Sequence, residues 1–584
     1  MSYCWRIPTT IILRAPWFTP GDTAAGPGFD AVLARDASGE RFVLPASLVK
    51  GNFLAAAQQL CHERILNDDD VAELFGTPSG NRRTGAPAPK WQVDNEPERA
   101  ALIFPDFQSA PSANDADNTA PKRTVRVAID SELGTAQEGA LQFIECPFDF
   151  GQEVAFHGDV LFAPGSIPSA KNLGEKEARN LIASAALRIF AMGGMKSVGF
   201  GRVAKLEVGA PQPFGLEKVK RIPAKAAKPL HRLRMDYFVD RPFIVDAERH
   251  GQNMYFGSAI LPGGAIKGTL ARSLSAAGIE ATEFLSMMMI SHAQPNGRRS
   301  LPLSLSACEG SLYCSLAGDE RTGHHKYQTD WKNEESDVRA ALARTLGTEW
   351  ENDPAIRYSG RTRTRIASET LTSAYVPGLE GAEGTGQLFS QMAVVPTDGL
   401  YWRGFIRPPS VTTPLSEILA MLDQGIPGFG KTGAVLRGLA TEDEAPITPT
   451  SEHVNLCLET EACLFAPDKA SNTSTEELYQ SYFEEHGLQL ERFYARQHIK
   501  GGYLALRYRA NPKGYIPWIM TSPGSVFRLK VVDRPQLADI LQHGLPPASC
   551  MSRDWREFPF LRENGFGQVS FDFDHALVSK GLKL

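Results

Sequence analysis

Long apolar runs, cysteine at disulfide density and a large excess of one charge sign are all missing from this sequence of 584 residues. No stretch approaches the ~18 apolar residues of a membrane-spanning helix, so no membrane partner is expected. Eight cysteines in such a length make no disulfide framework, and a reducing compartment would keep them as thiols. Cys308 and Cys314 followed by His324 and His325, and the pair Cys457 and Cys463, lack the short gap of a zinc knuckle. The opening MSYCWRIPTTIILRAPW alternates like a strand and has neither a basic start nor a small-residue cleavage site; the expected location is cytoplasmic. A net charge of -6 argues against a protein that coats nucleic acid with its whole surface.

What is present is repetition. Gly-Phe-Gly occurs three times, as VGFGRV at 198–203, PGFGKTG at 427–433 and NGFGQV at 564–569. Each copy closes a segment that opened with a strand and a Pro-containing turn. LPASLVKG at 44–51 and LPGGAIKG at 261–268 share a proline, a small residue, an aliphatic and a final Lys-Gly at the same offsets, and SPGSVF at 522–527 reads as a weaker third copy. Self-similarity of this kind predicts a tandem array of related modules.

The expected division is a first module over 1–212, a second over 228–443 and a smaller third over 452–584. Pattern and turn residues place an opening strand at 6–13, a second strand near 31–35, a helix after Lys50-Gly51 and a further helix over 175–192. The second module repeats the order, with a strand at 234–238, a helix after Lys267-Gly268 and another at 415–422. Polar, glycine-rich and proline-rich stretches at 78–90 and 108–122 read as insertions.

Local charge departs from the acidic average. Residues 218–234 hold seven basic residues and no acid, and Arg357, Arg361, Arg363 and Arg365 crowd a short segment with none. Over 492–509, five basic residues interleave with Phe493, Tyr494, Tyr503 and Tyr508. Aromatic faces stack bases and guanidinium groups pair with phosphates, a mixture suited to single-stranded nucleic acid, although each stretch taken alone also suits a solvated strand face.

The ordered features resemble the RAMP superfamily, whose members form the backbone of type III CRISPR effector complexes. They are the Gly-rich loop at 21–28, Asp30, Arg35-Asp36, the Pro-small-aliphatic-Lys-Gly helix starts and the glycine-rich loops near the module ends. The resemblance implies an α+β fold of tandem ferredoxin-like (RRM-like) modules with long insertions. Two backbone-like modules would be fused to a cap-like third. The implied role is antiviral: holding a CRISPR guide RNA, letting it pair with a target RNA, and joining other type III effector subunits. Such modules must touch backbone rather than bases, because base pairing reads the target. On this reading Lys50, Gly51, Lys267, Gly268, Arg272, Gly199, Gly201, Arg202, Gly428, Gly430, Lys431, Arg361, Arg363, Arg365, Gly565 and Gly567 are the expected RNA contacts. Glycine admits close approach of main chain to phosphate, and amides at a helix start bind anions without selecting a base.

The resemblance also implies an endoribonuclease site in the first loop. Asp30 stands at the matching place and would hold Mg²⁺ or Mn²⁺ against a scissile phosphate; the alternative for it is a loop-capping aspartate. Asp246 is the second candidate, in a stretch without the Gly-rich lead. Asp36 is expected to hold the turn at Gly39. The first module lacks the arginine that Arg272 supplies after the second Lys-Gly. Two rival readings stay open: a scaffold that binds guide RNA without cutting, and an NTPase, since GIPGFGKT at 425–432 matches the phosphate-loop pattern. The helical period before that stretch and the strand-like AVLRGL after it invert the order a phosphate loop needs.

Overall fold

A computed structural model describes residues 4–21, 28–36, 39–76, 99–111, 123–127, 129, 132–137, 141–164, 173–214, 232–246, 248–250, 254–308, 311–314, 316, 338–340, 342–343, 356–365, 387–409, 414–443, 449–466, 473–501, 517–555, 557–571 and 582–583. The fold is α+β with mainly antiparallel sheets, and one arrangement occurs three times. Each copy runs strand, helix, strand, strand, helix, strand, with the strands side by side in the order second, third, first, fourth.

In the first copy Phe107–Ser109, Glu153–Phe162, Trp5–Arg14 and Val203–Val208 are neighbours. The second sets Met289–Ile290, Trp402–Arg407, Leu233–Val239 and Ala434–Asp443 together. In the third the set is Leu488–Tyr494, Val526–Val531, His453–Leu458 and Val569–Ser570. This is the ferredoxin-like order, with both helices crossing one face.

Local sequence explains the elements. Along Trp5–Arg14 the alternate residues Ile7, Thr9, Ile11 and Leu13 are buried, the period of a strand with one covered face. The Ala46–His62 helix buries Val49, Phe53, Ala56, Ala57 and Leu60, a stripe at helical spacing that seals the sheet. It starts at Pro45 (φ -57°, ψ 139°), and the Gly263–Ala276 helix starts at Pro262 (φ -66°, ψ 133°). Proline in this extended conformation sets the chain's entry into a helix while spending no amide.

Several expectations shift. The helix expected over 175–192 ends at Ala186, where the amides of Arg188 and Ile189 turn back onto the carbonyls of Ala185 and Ala186. The expected strand at 31–35 is only a set of isolated bridges at Ala31, Leu33 and Arg35. SPGSVF is not a helix start: it turns at Gly524 (φ +81°) into the Val526–Val531 strand, and the third module's first helix begins instead at Ser474, whose hydroxyl accepts from Glu477 N.

All three Gly-Phe-Gly loops lie between second helix and fourth strand and share a left-handed φ at both glycines. The first glycines have φ of 92°, 91° and 96°, and the second glycines 66°, 63° and 73°. At each second glycine a Cβ would run into a carbonyl of the same module, from Met192, Ile244 and Leu545 respectively. The loops are therefore closed down on their own modules where only hydrogen fits.

The first module has its own core around Ile11, Phe53 and Phe156, while its Cys4 and Leu161 lie in the second module's buried cluster with Met235, Leu270 and Trp402. The third module has its own core around Tyr479, Phe483 and Phe527.

Gly201→Ala combines left-handed strain with a carbonyl clash and is expected to lower stability by about 2 kcal/mol or more, whereas Gly199→Ala, with open space at its Cβ, carries the conformational cost alone, about 1 kcal/mol. Urea unfolding of the two variants checks this, and equal losses would contradict it.

Candidate nucleic-acid interface

In the first module the helix start and the glycine loop lie side by side. Lys50 and Gly51 are the fifth and sixth residues of the Ala46–His62 helix. Gly51 is exposed with nothing near where a Cβ would sit, and Lys50 is half-buried. Asn52, in the next position, reaches Lys196 of the loop approach (Nζ to Oδ1, 3.5 Å). Lys196 to Gly199 are all exposed, as is Arg202, whose carbonyl accepts from Arg14 N. Gly201 is buried and serves the loop's shape.

The second module repeats this layout with its surface already used. Lys267, again the fifth residue of its helix, donates to the carbonyl of Glu563 at 2.7 Å, and burial pushes its ammonium down to about 7. A Cβ on Gly263 would lie 2.7 Å from Asn564 O, and one on Gly264 would touch the Asn564 side chain. Gly268 stays exposed. Arg272 lies across the loop: its guanidinium donates to Gly428 O, and burial lowers its pKa to about 10. Gly430 keeps the loop tight, and Lys431 is exposed with its amide on Ile244 O.

The third module's loop is the occupant. Its Gly565 sits directly against the backbone and imidazole of His292, and Phe566 meets that ring edge-on at 4.7 Å. Gly567 again closes the loop on its own module. His292 Nδ1 accepts from Gly263 N at 3.1 Å, and complete burial drives its pKa down to about 4. Arg299 and the amide of Ser300 both bind Glu459, at 3.2 and 2.7 Å, extending the junction.

Both candidate aspartates lie between a module's first strand and first helix, and both carboxylates already have partners. Asp30 Oδ2 accepts from Phe143 N at 2.7 Å, and its own amide donates to Phe143 O. Asp246 adopts a left-handed φ of 42°, unusual for a residue with a side chain, and contacts Lys500 at 3.5 Å. Lys500 also pairs with Glu461 at 2.7 Å, and Glu461 faces His498. Asp36 behaves as expected, accepting from the amides of Glu40 and Arg41. Among the described residues no group of three or more His, Cys, Asp or Glu is gathered to hold a metal ion, and no helix is long and apolar enough to cross a membrane.

Arg361, Arg363 and Arg365 fall on the Arg357–Arg365 strand; their side chains lie outside the described residues. Of the other basic stretches, 215–231 and 502–516 also lie outside. The GIPGFGKT stretch follows the Leu415–Gln424 helix and leads into the Ala434–Asp443 strand, so no helix N-terminus stands behind Lys431 to receive a nucleotide phosphate. Sequence reasoning missed His292 and Glu461, whose roles come from a junction between distant segments; Lys500, one of the five basic residues counted over 492–509, is ion-paired there with Glu461 and Asp246. For Ala55, the residue standing where the second module has Arg272, the missing arginine was the available signal.

Residues 10–204 match the family model of the RAMP superfamily, and the first module is a RAMP domain. No curated protein matches the chain. Among solved structures, the chain is similar to one from a Type III-B Cmr-beta assembly bound to cognate target RNA and AMPPnP, at 12% identity and a TM-score of 0.28 over 50% of this chain and 86% of that one. Another, from Type III-B Cmr-beta bound to cognate target RNA, is 11% identical with a TM-score of 0.24 over 36% of this chain and 98% of that one.

His292 gives the junction between the second and third modules a pH dependence. Its folded pKa lies below the ordinary 6.5, so the opened state takes up a proton first, and stability is lost as pH falls from about 6.5 toward 4. Glu461 and Asp246, which favour the charged ring, and Lys500, which opposes it, are its charged neighbours. The unfolding free energy of the third module, measured with urea, is expected to fall on acidification by up to about 1.4 kcal/mol per pH unit, and His292→Gln to flatten that slope. An unchanged slope in the variant would show that the ring does not carry it.

Proposed function

We propose, starting from a RAMP domain at residues 10–204, that this chain is an RNA-binding backbone subunit of a type III CRISPR effector complex, gripping guide RNA across its first module. The observation that carries this is the contrast between two homologous surfaces. Helix start and glycine loop adjoin in both modules, yet the second module's start is filled by the third module's loop while Gly51 and Gly199 of the first stand open. The helix's first amide is taken by the Asp106 carboxylate, and the open surface beyond it, made of Lys50, Gly51, Lys196 and a side-chain-free loop, suits a phosphate backbone, which asks for charge and close approach without base selection. The arginine-rich sequence of the Arg357–Arg365 strand adds positive charge suited to a phosphate backbone. Target RNA and other effector subunits are the further partners.

Within this reading Asp30 is the residue that would cut a paired target. One of its oxygens is taken by Phe143 N–H, and the exposed residue can offer the other to a divalent ion. A hard ion such as Mg²⁺ takes few protein ligands and completes its shell with phosphate and water, so a single carboxylate fits that role. When bound, the ion would neutralise charge at the scissile phosphate. The backbone bonds of Asp30 hold the carboxylate still whether or not it cuts, which keeps the non-catalytic scaffold as the second reading.

Lys50→Glu is expected to weaken single-stranded RNA binding and to reduce the salt slope of log K by roughly 0.7, one phosphate contact; an unaltered slope overturns the assignment of this surface. In a guide-loaded complex, Asp30→Ala should leave RNA binding intact and abolish cleavage of a paired target RNA. Undiminished cleavage would leave the scaffold reading alone standing.

A further inference from the structure

The three glycine loops share left-handed glycines but differ in what rests on the first of them. On Gly428 lies a guanidinium: a Cβ there would be 2.9, 3.1 and 3.3 Å from Nη2, Nη1 and Cζ of Arg272, so the flat group covers the place where a side chain would begin. On Gly565 lies the imidazole of His292 with its adjoining peptide. Both occupants are planar and nitrogen-bearing, and Arg272 donates to the carbonyl of the glycine it covers. The left-handed glycine exposes a bare peptide plane, which a flat group can approach closely and stack upon.

Gly199 is exposed, and among the described residues nothing rests on it. The residue in the helix position of Arg272, five after the lysine, is the exposed Ala55, which is too short to cross. The first module therefore keeps the platform and lacks the lid.

Resting on the RNA reading above, we propose that the niche between Ala55 and Gly199 receives an unpaired nucleobase of the bound strand. The base would stack on the Gly199 peptide and offer its exocyclic amino group to the Gly199 carbonyl. The two sister loops show what fits this geometry, a planar nitrogen-bearing group, and at Gly428 one whose N–H reaches the glycine carbonyl. A nucleobase is the part of an RNA with that description, whereas a phosphate is neither flat nor a donor. Lys50 and Gly51 close by would hold the backbone of the same strand.

The test uses the full chain and installs the missing lid. Ala55→Arg copies the second module's arrangement and adds positive charge, which by itself strengthens RNA binding. The probes are a short fluorescent single-stranded RNA of mixed sequence and the same strand with abasic residues, read by anisotropy. The expected result is that Ala55→Arg weakens the mixed-sequence RNA by about fivefold or more, the loss of one stacked base, and does not weaken the abasic strand. Ala55→Gln, a neutral amide of shorter reach, should act in the same direction and serves if the arginine variant does not fold. If the folded variants bind the mixed-sequence RNA as the native chain does, or weaken both strands equally, the niche holds no base. Lys50→Glu separates the two claims: a loss there with no effect at Ala55 overturns the niche alone, and no effect at either position overturns the RNA surface along with it.

Discussion

The structure depends on a steric condition met three times, at Gly201, Gly430 and Gly567. At each, a carbonyl of the same module packs where any side chain would begin, and the chain passes with a left-handed φ. That close approach draws the loop onto the module between its second helix and fourth strand. The preceding glycine is then presented outward in the same pose each time. Functional differences among the modules arise from what meets that presented glycine: open space at Gly199, Arg272 at Gly428 and His292 at Gly565.

The junction of the second and third modules illustrates how a repeated fold acquires unequal parts. Lys267 occupies the position of Lys50, but its ammonium is buried on Glu563 O, and the neutral His292 takes the Gly263 amide. These are polar contacts made out of water, each satisfied by a partner, and breaking one side would leave the other uncompensated. The third module thus seals a surface that the first module leaves exposed. The first and second modules are joined by apolar burial, with Leu161 and Cys4 inside the second module's core.

Much of the fold was legible in the chain. Alternation at Trp5–Arg14, the helical stripe after Pro45, and the recurring Lys-Gly and Gly-Phe-Gly signals report local conformation, and local conformation is set by neighbours in sequence. The reading of SPGSVF failed because a Pro-Gly turn serves equally well before a strand and before a helix; only the sheet around Val526–Val531 selects between them. The phosphate-loop match at 425–432 is set aside by element order, helix before and strand after, which the apolar periods had already indicated.

The candidate site divides along the same line. Sequence alone determined that the chain repeats a module, that Lys50 and Lys267 are counterparts, and that the first module lacks an arginine at Ala55, because these are facts of pattern and offset. Tertiary structure alone decided that Lys267 is buried against Glu563, that His292 covers Gly565 and that Gly199 stays bare. Residues brought together across nearly 300 positions carry no mark in either local segment: Lys267 and Glu563 meet through packing, and packing is a property of the folded whole.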